Sequence, residues 1–350
     1  MRSFSRCRSS AGRDRDGRPF SGPEAAFSLL EILVTCVIVI AIMVAILQVV
    51  TNVQRSWQSA SVDSFAEAED AFSTLTQNLA AATLEPYQDF ADSSGTFRTN
   101  SAAAFVPDHL ARRSDLDFIC GPTSGTNGLL TASGRTTAGC GVFFLAPEGY
   151  TQTETNTGMG RLLNAMGYFV EFGNDNDAPS FLLPTVQRWR WRLKQVRQPT
   201  ESLQIYALTS SSTWVQQIVS SGATTPALAE NIIALVVLPV RAASDSGTAL
   251  SQDFRYDSRD ATNPLTRHQL PARLRVAFMA IDEASAQILA NQNGSNPPAL
   301  VAAALFQKAT QLDIDLASLD RTLTAQKINH RLFQREILLP AAAWSNTSSQ

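Results

Sequence analysis

Ala26-Phe27-Ser28-Leu29-Leu30-Glu31 opens an uncharged run that extends from Ile32 to Gln54 and is mostly Ile, Val, Leu, Ala and Met. Roughly 20 residues rising about 1.5 Å each match a hydrocarbon core of about 30 Å, so the run predicts one membrane-spanning helix. Glu31 stands inside the apolar segment, four residues from Phe27. A carboxylate there costs about 2.5–3.5 kcal/mol on insertion scales, and with no partner in its own helix it calls for one elsewhere. A secretory signal peptide has an apolar core of only about 7–15 residues, followed by a small-x-small cut site. Ser59-Ala60-Ser61 offers such a site, but the run is too long and contains Glu31. An uncleaved single-pass anchor explains the span and leaves Glu31 without a role.

The chain has 350 residues, 44% of them hydrophobic, and a formal net charge of −3. That is ordinary globular composition with one apolar segment attached. Six arginines (2, 6, 8, 13, 15, 18) against Asp14, Asp16 and Glu24 leave residues 1–26 at +3, so the remainder carries −6. Arginines before a first span hold that end in the cytoplasm. The expected localisation is therefore a single-pass inner-membrane protein with a periplasmic C-terminal domain. Cys7 and Cys36 fall in the leader and the apolar run. Cys120 and Cys140 fall in the exported part, where an oxidising compartment permits them to pair. Two buried thiols are the alternative.

Residues 1–26 are polar, Arg-rich and broken by Gly and Pro. After the apolar run, Val53, Trp57, Ala60, Phe65, Ala68, Phe72, Leu75 and Leu79 recur mainly at spacings of three and four, which marks one face of a helix. Pro86 ends it by about Leu84. From residue 85, short β-branched and aromatic runs alternate with Gly, Ser, Thr, Asn and Pro clusters, the sign of an antiparallel sheet with long loops. The expected strands are Leu116–Cys120, Gly141–Ala146, Tyr168–Phe172, Trp189–Val196, Leu203–Leu208, Ile232–Val240, Leu274–Ile281 and Leu332–Leu339. Between Ala284 and Lys327 the pattern turns helical.

The expected fold class is α+β: a long N-terminal transmembrane stalk helix packed on antiparallel β-sheet, with a helical insert before the last strand. The expected organisation is a leader over 1–26 and a stalk over 27–84, transmembrane to 54 and amphipathic over 55–84. An exported β-rich domain over 85–345, with its insert at 284–327, and a frayed tail over 346–350 complete it.

Catalytic signatures are weak. His109, His268 and His330 are far apart and in no metal-ligand spacing. No Gly-x-Ser-x-Gly is present, and Gly158-Met159-Gly160 lacks the third glycine of a phosphate loop. The expectation is no enzyme and no cofactor. Gly173-Asn174-Asp175-Asn176-Asp177 has oxygens that suit a hard cation, with Asp175 and Asp177 as ligands, though Asn, Asp and Gly after a strand read more simply as a turn. Arg188, Arg190, Arg192 and Lys194 alternate with Trp189, Trp191 and Leu193, giving a strand with one basic face. That face could meet an anionic partner. On a domain of charge −6 the favoured reading is a solvated face, or one paired with acids such as Glu171 or Glu201, and no nucleic acid is expected.

The basic leader, Phe27-Ser28-Leu29-Leu30-Glu31 and the apolar run together resemble the processing and methylation motif of type IV prepilins and type II secretion pseudopilins. In that family a peptidase cuts before the Phe and methylates the new amine, and the fifth mature residue is Glu. The resemblance implies processing between Ala26 and Phe27 by a prepilin peptidase and an assembly role for Glu31. Its other partners would be pilin or pseudopilin subunits and inner-membrane lipid. Ala26 departs from the usual Gly. The order of elements resembles W-type minor pilins and J-type pseudopilins. Asp115-Leu116-Asp117-Phe118-Ile119-Cys120-Gly121-Pro122, the Phe143-Phe144 pair, the segment from Leu163 to Phe172 and the segment from Ala229 to Val237 are similar to the pilin-like family called Verru_Chthon cassette protein C. The implied function is a non-enzymatic filament subunit. A membrane-anchored periplasmic enzyme and a DNA-uptake minor pilin are the rivals.

Overall fold

The structure is a computed structural model that describes residues 29–98, 105–174, 188–206, 211–220, 225–241, 250–263, 265–302 and 305–342. The chain divides into two units, Met1–Ser59 and Ala60–Gln350.

The first helix, α1, runs over Leu29–Ala80 and crosses the boundary between the units. The strands are β1 (Tyr87–Ala91), β2 (His109–Arg113), β3 (Ile119–Pro122), β4 (Thr137–Ala146), β5 (Asn164–Gly173), β6 (Arg190–Gln198), β7 (Ala227–Glu230), β8 (Ile232–Val240), β9 (Tyr256–Asp257), β10 (Arg273–Ile281) and β11 (His330–Leu338). Three further helices are α2 (Ser211–Ser220), α3 (Glu283–Asn293) and α4 (Leu312–Ala325). The strands make three sheets: β1-β2, β11-β10-β8, and β7-β6-β5-β4-β3-β9. Every neighbouring pair is antiparallel.

The two larger sheets meet where β8 lies against β4. This position explains the composition of β8. Ile232–Val240 is buried at every residue because β10 covers one edge and the second sheet a face, and a strand enclosed this way reads as a continuous apolar run. In β10, Arg273 and Arg275 are partly exposed at one end, whereas Val276 to Ile281 are all buried. The second unit's part of α1 adds a helical face. Ala68, Ala71, Phe72, Leu75 and Leu79 are buried at helical spacing. Phe72 meets Phe278 edge-on at 4.9 Å and Phe333 at 5.9 Å, so it seals β10 and β11 together.

The expected fold class is corrected here. Apart from α1, the described residues are dominated by antiparallel sheet with short helices, and no transmembrane stalk is found among them. Among the described residues, no helix is long and apolar enough to cross a membrane. Glu67, Glu69 and Asp70 charge α1. Single-pass anchoring in an inner membrane therefore finds no span among the described residues.

One strand assignment also changes, and one helix is added. Thr200–Ser202 makes a 3-10 turn, and no strand is found among the described residues Leu203–Tyr206. Helix α2 stands where no element was expected. Its Trp214, Val215, Ile218 and Val219 are buried, and Trp214 Nε1 donates to Asp117 Oδ2 at 2.7 Å.

Candidate functional site

Three regions carry the candidate residues: the leading half of α1, the basic strand β6, and the β3-β4 hairpin with its cysteines.

In the first region, Ala26 and Phe27 lie outside the described residues. Glu31 is the third residue of α1, and its side chain also lies outside them. What is described is apolar and exposed. Val39, Ile40 and Met43 are 61%, 61% and 63% exposed, and Leu33, Val34, Ile38, Ile42, Val44, Ile46 and Leu47 are exposed as well. With about 100° between successive residues, positions 38–40 and 42–44 point in all directions around the axis. The side chains described there present no polar face.

In the second region, β6 lies between β5 and β7 within the six-stranded sheet, and both of its faces are covered. Arg190, Arg192 and Lys194 are each only 4% exposed. Buried cations persist only when paired. Arg190 donates through Nη1 and Nη2 to Glu283 at 2.6 and 2.7 Å, and through Nη1 to Asn231 at 3.1 Å. Arg192 Nε donates to Glu230 at 3.3 Å, and its Nη1 to the carbonyls of Gly173 and Asn174 at 2.8 and 3.0 Å. Arg188, 47% exposed, shares Glu230 at 3.6 Å. The solvated basic face is thus corrected to a mostly buried one. Its acids are Glu230 and Glu283 rather than Glu171 and Glu201. Glu171 pairs with Arg135 at 2.8 Å. Glu201 accepts from Thr151 and Asn156, and the Thr151 hydrogen bond is foremost in holding its carboxyl down at about 2.

In the third region, the expected Cys120–Cys140 bridge is replaced by two buried free thiols. The register of β3 with β4 sets Cys120 opposite Val142 and Cys140 opposite Pro122. The cysteines are therefore diagonal neighbours, about 7–8 Å apart for such positions. A disulfide needs Cα atoms within roughly 4.4–6.8 Å. Burial pushes the Cys120 thiol well above its usual range and the Cys140 thiol up to about 12. Neither is a thiolate nucleophile at neutral pH.

The remaining titratable groups do not converge. Asp175 and Asp177 lie outside the described residues, and among those described no group of three or more His, Cys, Asp or Glu could hold a metal. His109 sits 3.0 Å from Asp108 and His330 2.9 Å from Asp320. Burial, reinforced by the positive charge of Arg267, Arg259 and Arg113, pushes His268 down to about 4. A polar centre that sequence reading missed joins Asp117, Trp214 and Ser258. Asp117 is fully buried and accepts from Trp214 Nε1 and from Ser258 Oγ, both at 2.7 Å. Its sequence signal was a carboxylate set between Leu116 and Phe118 at the head of a strand.

Two cavities share Thr126, Asn127 and Arg255 as a common wall. One, of about 750 Å³, is lined by Cys120, and the other, of about 650 Å³, by Cys140. No family model matches the chain, and no curated protein or solved structure matches it either.

Proposed function

We propose that the chain is a non-enzymatic, pilin-like structural subunit that joins an assembly of similar subunits through its N-terminal helix. The observation that carries this reading is the exposed apolar surface on all sides of α1 between Leu33 and Leu47. Apolar area in water costs roughly 25 cal/mol per Å² relative to burial, so such a helix gains from every side that is covered. One partner covers one side. A surface that is apolar all round is satisfied by a bundle of like helices.

Supporting features lie elsewhere in the chain. Arg190 and Arg192 of β6 are neutralised within the domain, and Lys194 is buried beside them, which argues against a DNA-binding strand. The two described cysteines are inert thiols. In this reading a prepilin peptidase cuts before Phe27. The new amine, with an ordinary pKa of about 7.7–8, is a cation at neutral pH and a partner for the Glu31 carboxylate of a neighbouring copy.

The test is chemical cross-linking of the full chain in cells, with Glu31→Val and Met43→Lys as variants. Both are expected to lower cross-linked oligomers at least about tenfold, while urea melts of the β-rich unit stay unchanged. Wild-type cross-linking by both variants would overturn the reading.

A further inference from the structure

Two buried donors have no hydrogen-bond partner among the described residues, and they sit on consecutive residues of β6: Arg190 Nε and Trp191 Nε1. Arg190 is 4% exposed and Trp191 9%. An unsatisfied buried donor costs about 1–3 kcal/mol, so each asks for an acceptor on its own face of the strand. Both residues line a small pocket of about 20 Å³, enough for a single oxygen-sized group. Its walls include Phe172, Trp189 and Asn231. Trp191 and Pro298 also line the cavity of about 650 Å³. That cavity is apolar along Ile233, Leu300, Val301 and Phe306. A buried donor in a small pocket beside a larger cavity with one apolar wall is a form that small-molecule sites take.

The charges in these walls narrow the ligand. The ionised side chain lining the small pocket is Arg190, and Glu283 already neutralises it. The one lining the larger cavity is Arg255, paired with Asp253 at 3.2 Å. An added carboxylate would meet Glu283 beside Arg190, whereas an uncharged oxygen would not. We propose that the two cavities form one site for an uncharged amphiphile, an apolar chain ending in a hydroxyl or carbonyl oxygen. The oxygen accepts from Trp191 Nε1, and the chain lies along Leu300, Val301 and Phe306.

The experiment uses the full chain, 15N-labelled at its tryptophans, with decanol and decanoate as probes. Decanol is expected to shift the Trp191 indole N–H resonance, identified by its loss in Trp191→Phe. Calorimetry should show decanol binding about fivefold more weakly to Trp191→Phe, the equivalent of one neutral hydrogen bond. Decanoate should bind at least about tenfold more weakly than decanol. Val301→Trp, which fills the apolar cavity from a partly exposed position, should abolish binding with the fold intact. The proposal is overturned if decanol leaves the indole resonance unmoved, if decanoate binds as tightly, or if Val301→Trp binds like the wild type. The first of those outcomes would leave the Trp191 donor to an internal water.

Discussion

Arg190 and Glu283 meet through both guanidinium Nη atoms and both carboxylate oxygens, at 2.6 and 2.7 Å, with the Arg190 side chain 3% exposed and the Glu283 side chain 50%. The pair ties the start of β6 to the first turn of α3 across 93 residues. Removing the acid leaves a buried cation without its charge partner, and such losses cost about 3–5 kcal/mol. Water reaches Glu283, so the lower end applies. Glu283→Ala should destabilise the chain by about 3 kcal/mol in urea melts. Arg190→Met removes the buried charge itself and should cost under about 1.5 kcal/mol. Equal effects of the two substitutions would show that the charge pair is not what matters there.

His268 supplies a pH dependence. Its folded pKa lies near 4 against an ordinary 6.5. The unfolded chain therefore binds the proton more readily, so this contribution is fully present above pH 6.5 and is lost as the pH falls from 6.5 to 4. Its size is at most about 3 kcal/mol. The backbone at His268 has φ +53°, which Asn tolerates better than most residues. Between pH 7 and pH 4.5 the wild type should lose about 2 kcal/mol more stability than His268→Asn. Parallel pH profiles for the two proteins would refute the assignment.

The thiols should be silent. At pH 8 the folded chain should leave Cys120 and Cys140 unlabelled by iodoacetamide over an hour, and both should label in urea. Peptide mapping separates them from Cys7 and Cys36. Labelling of Cys140 in the folded chain would contradict a thiol pushed up to about 12 by burial.

Gly139 holds the contact between the two larger sheets. Its φ is +70°, and an added Cβ would come within 2.4 Å of the Leu235 carbonyl oxygen. Left-handed backbone costs a β-carbon-bearing residue about 1–2 kcal/mol, and displacing β8 costs more. Gly139→Ala should lower stability by at least about 2 kcal/mol. A loss below about 0.5 kcal/mol would mean that β8 shifts freely there.

Sequence alone determined those features whose cause is local. The apolar run of Ile232–Val240 marked a strand, and the structure buries it at every residue, where no water reaches and nothing polar can sit. The spacing of Ala68, Phe72, Leu75 and Leu79 marked a buried helical face in the same way. The alternation of cations and tryptophans in β6 was legible, but not its direction, since Glu230 and Glu283 arrive from other elements. Only the tertiary structure decided that this basic face is buried, that Cys120 and Cys140 are diagonal rather than opposite, and that Trp214 brings α2 onto Asp117. It also withheld the membrane span that the run from Ile32 had suggested. The reason is common to all of these. A periodic pattern reports which side of a segment avoids water, whereas strand register and sheet stacking decide which distant residue fills that side.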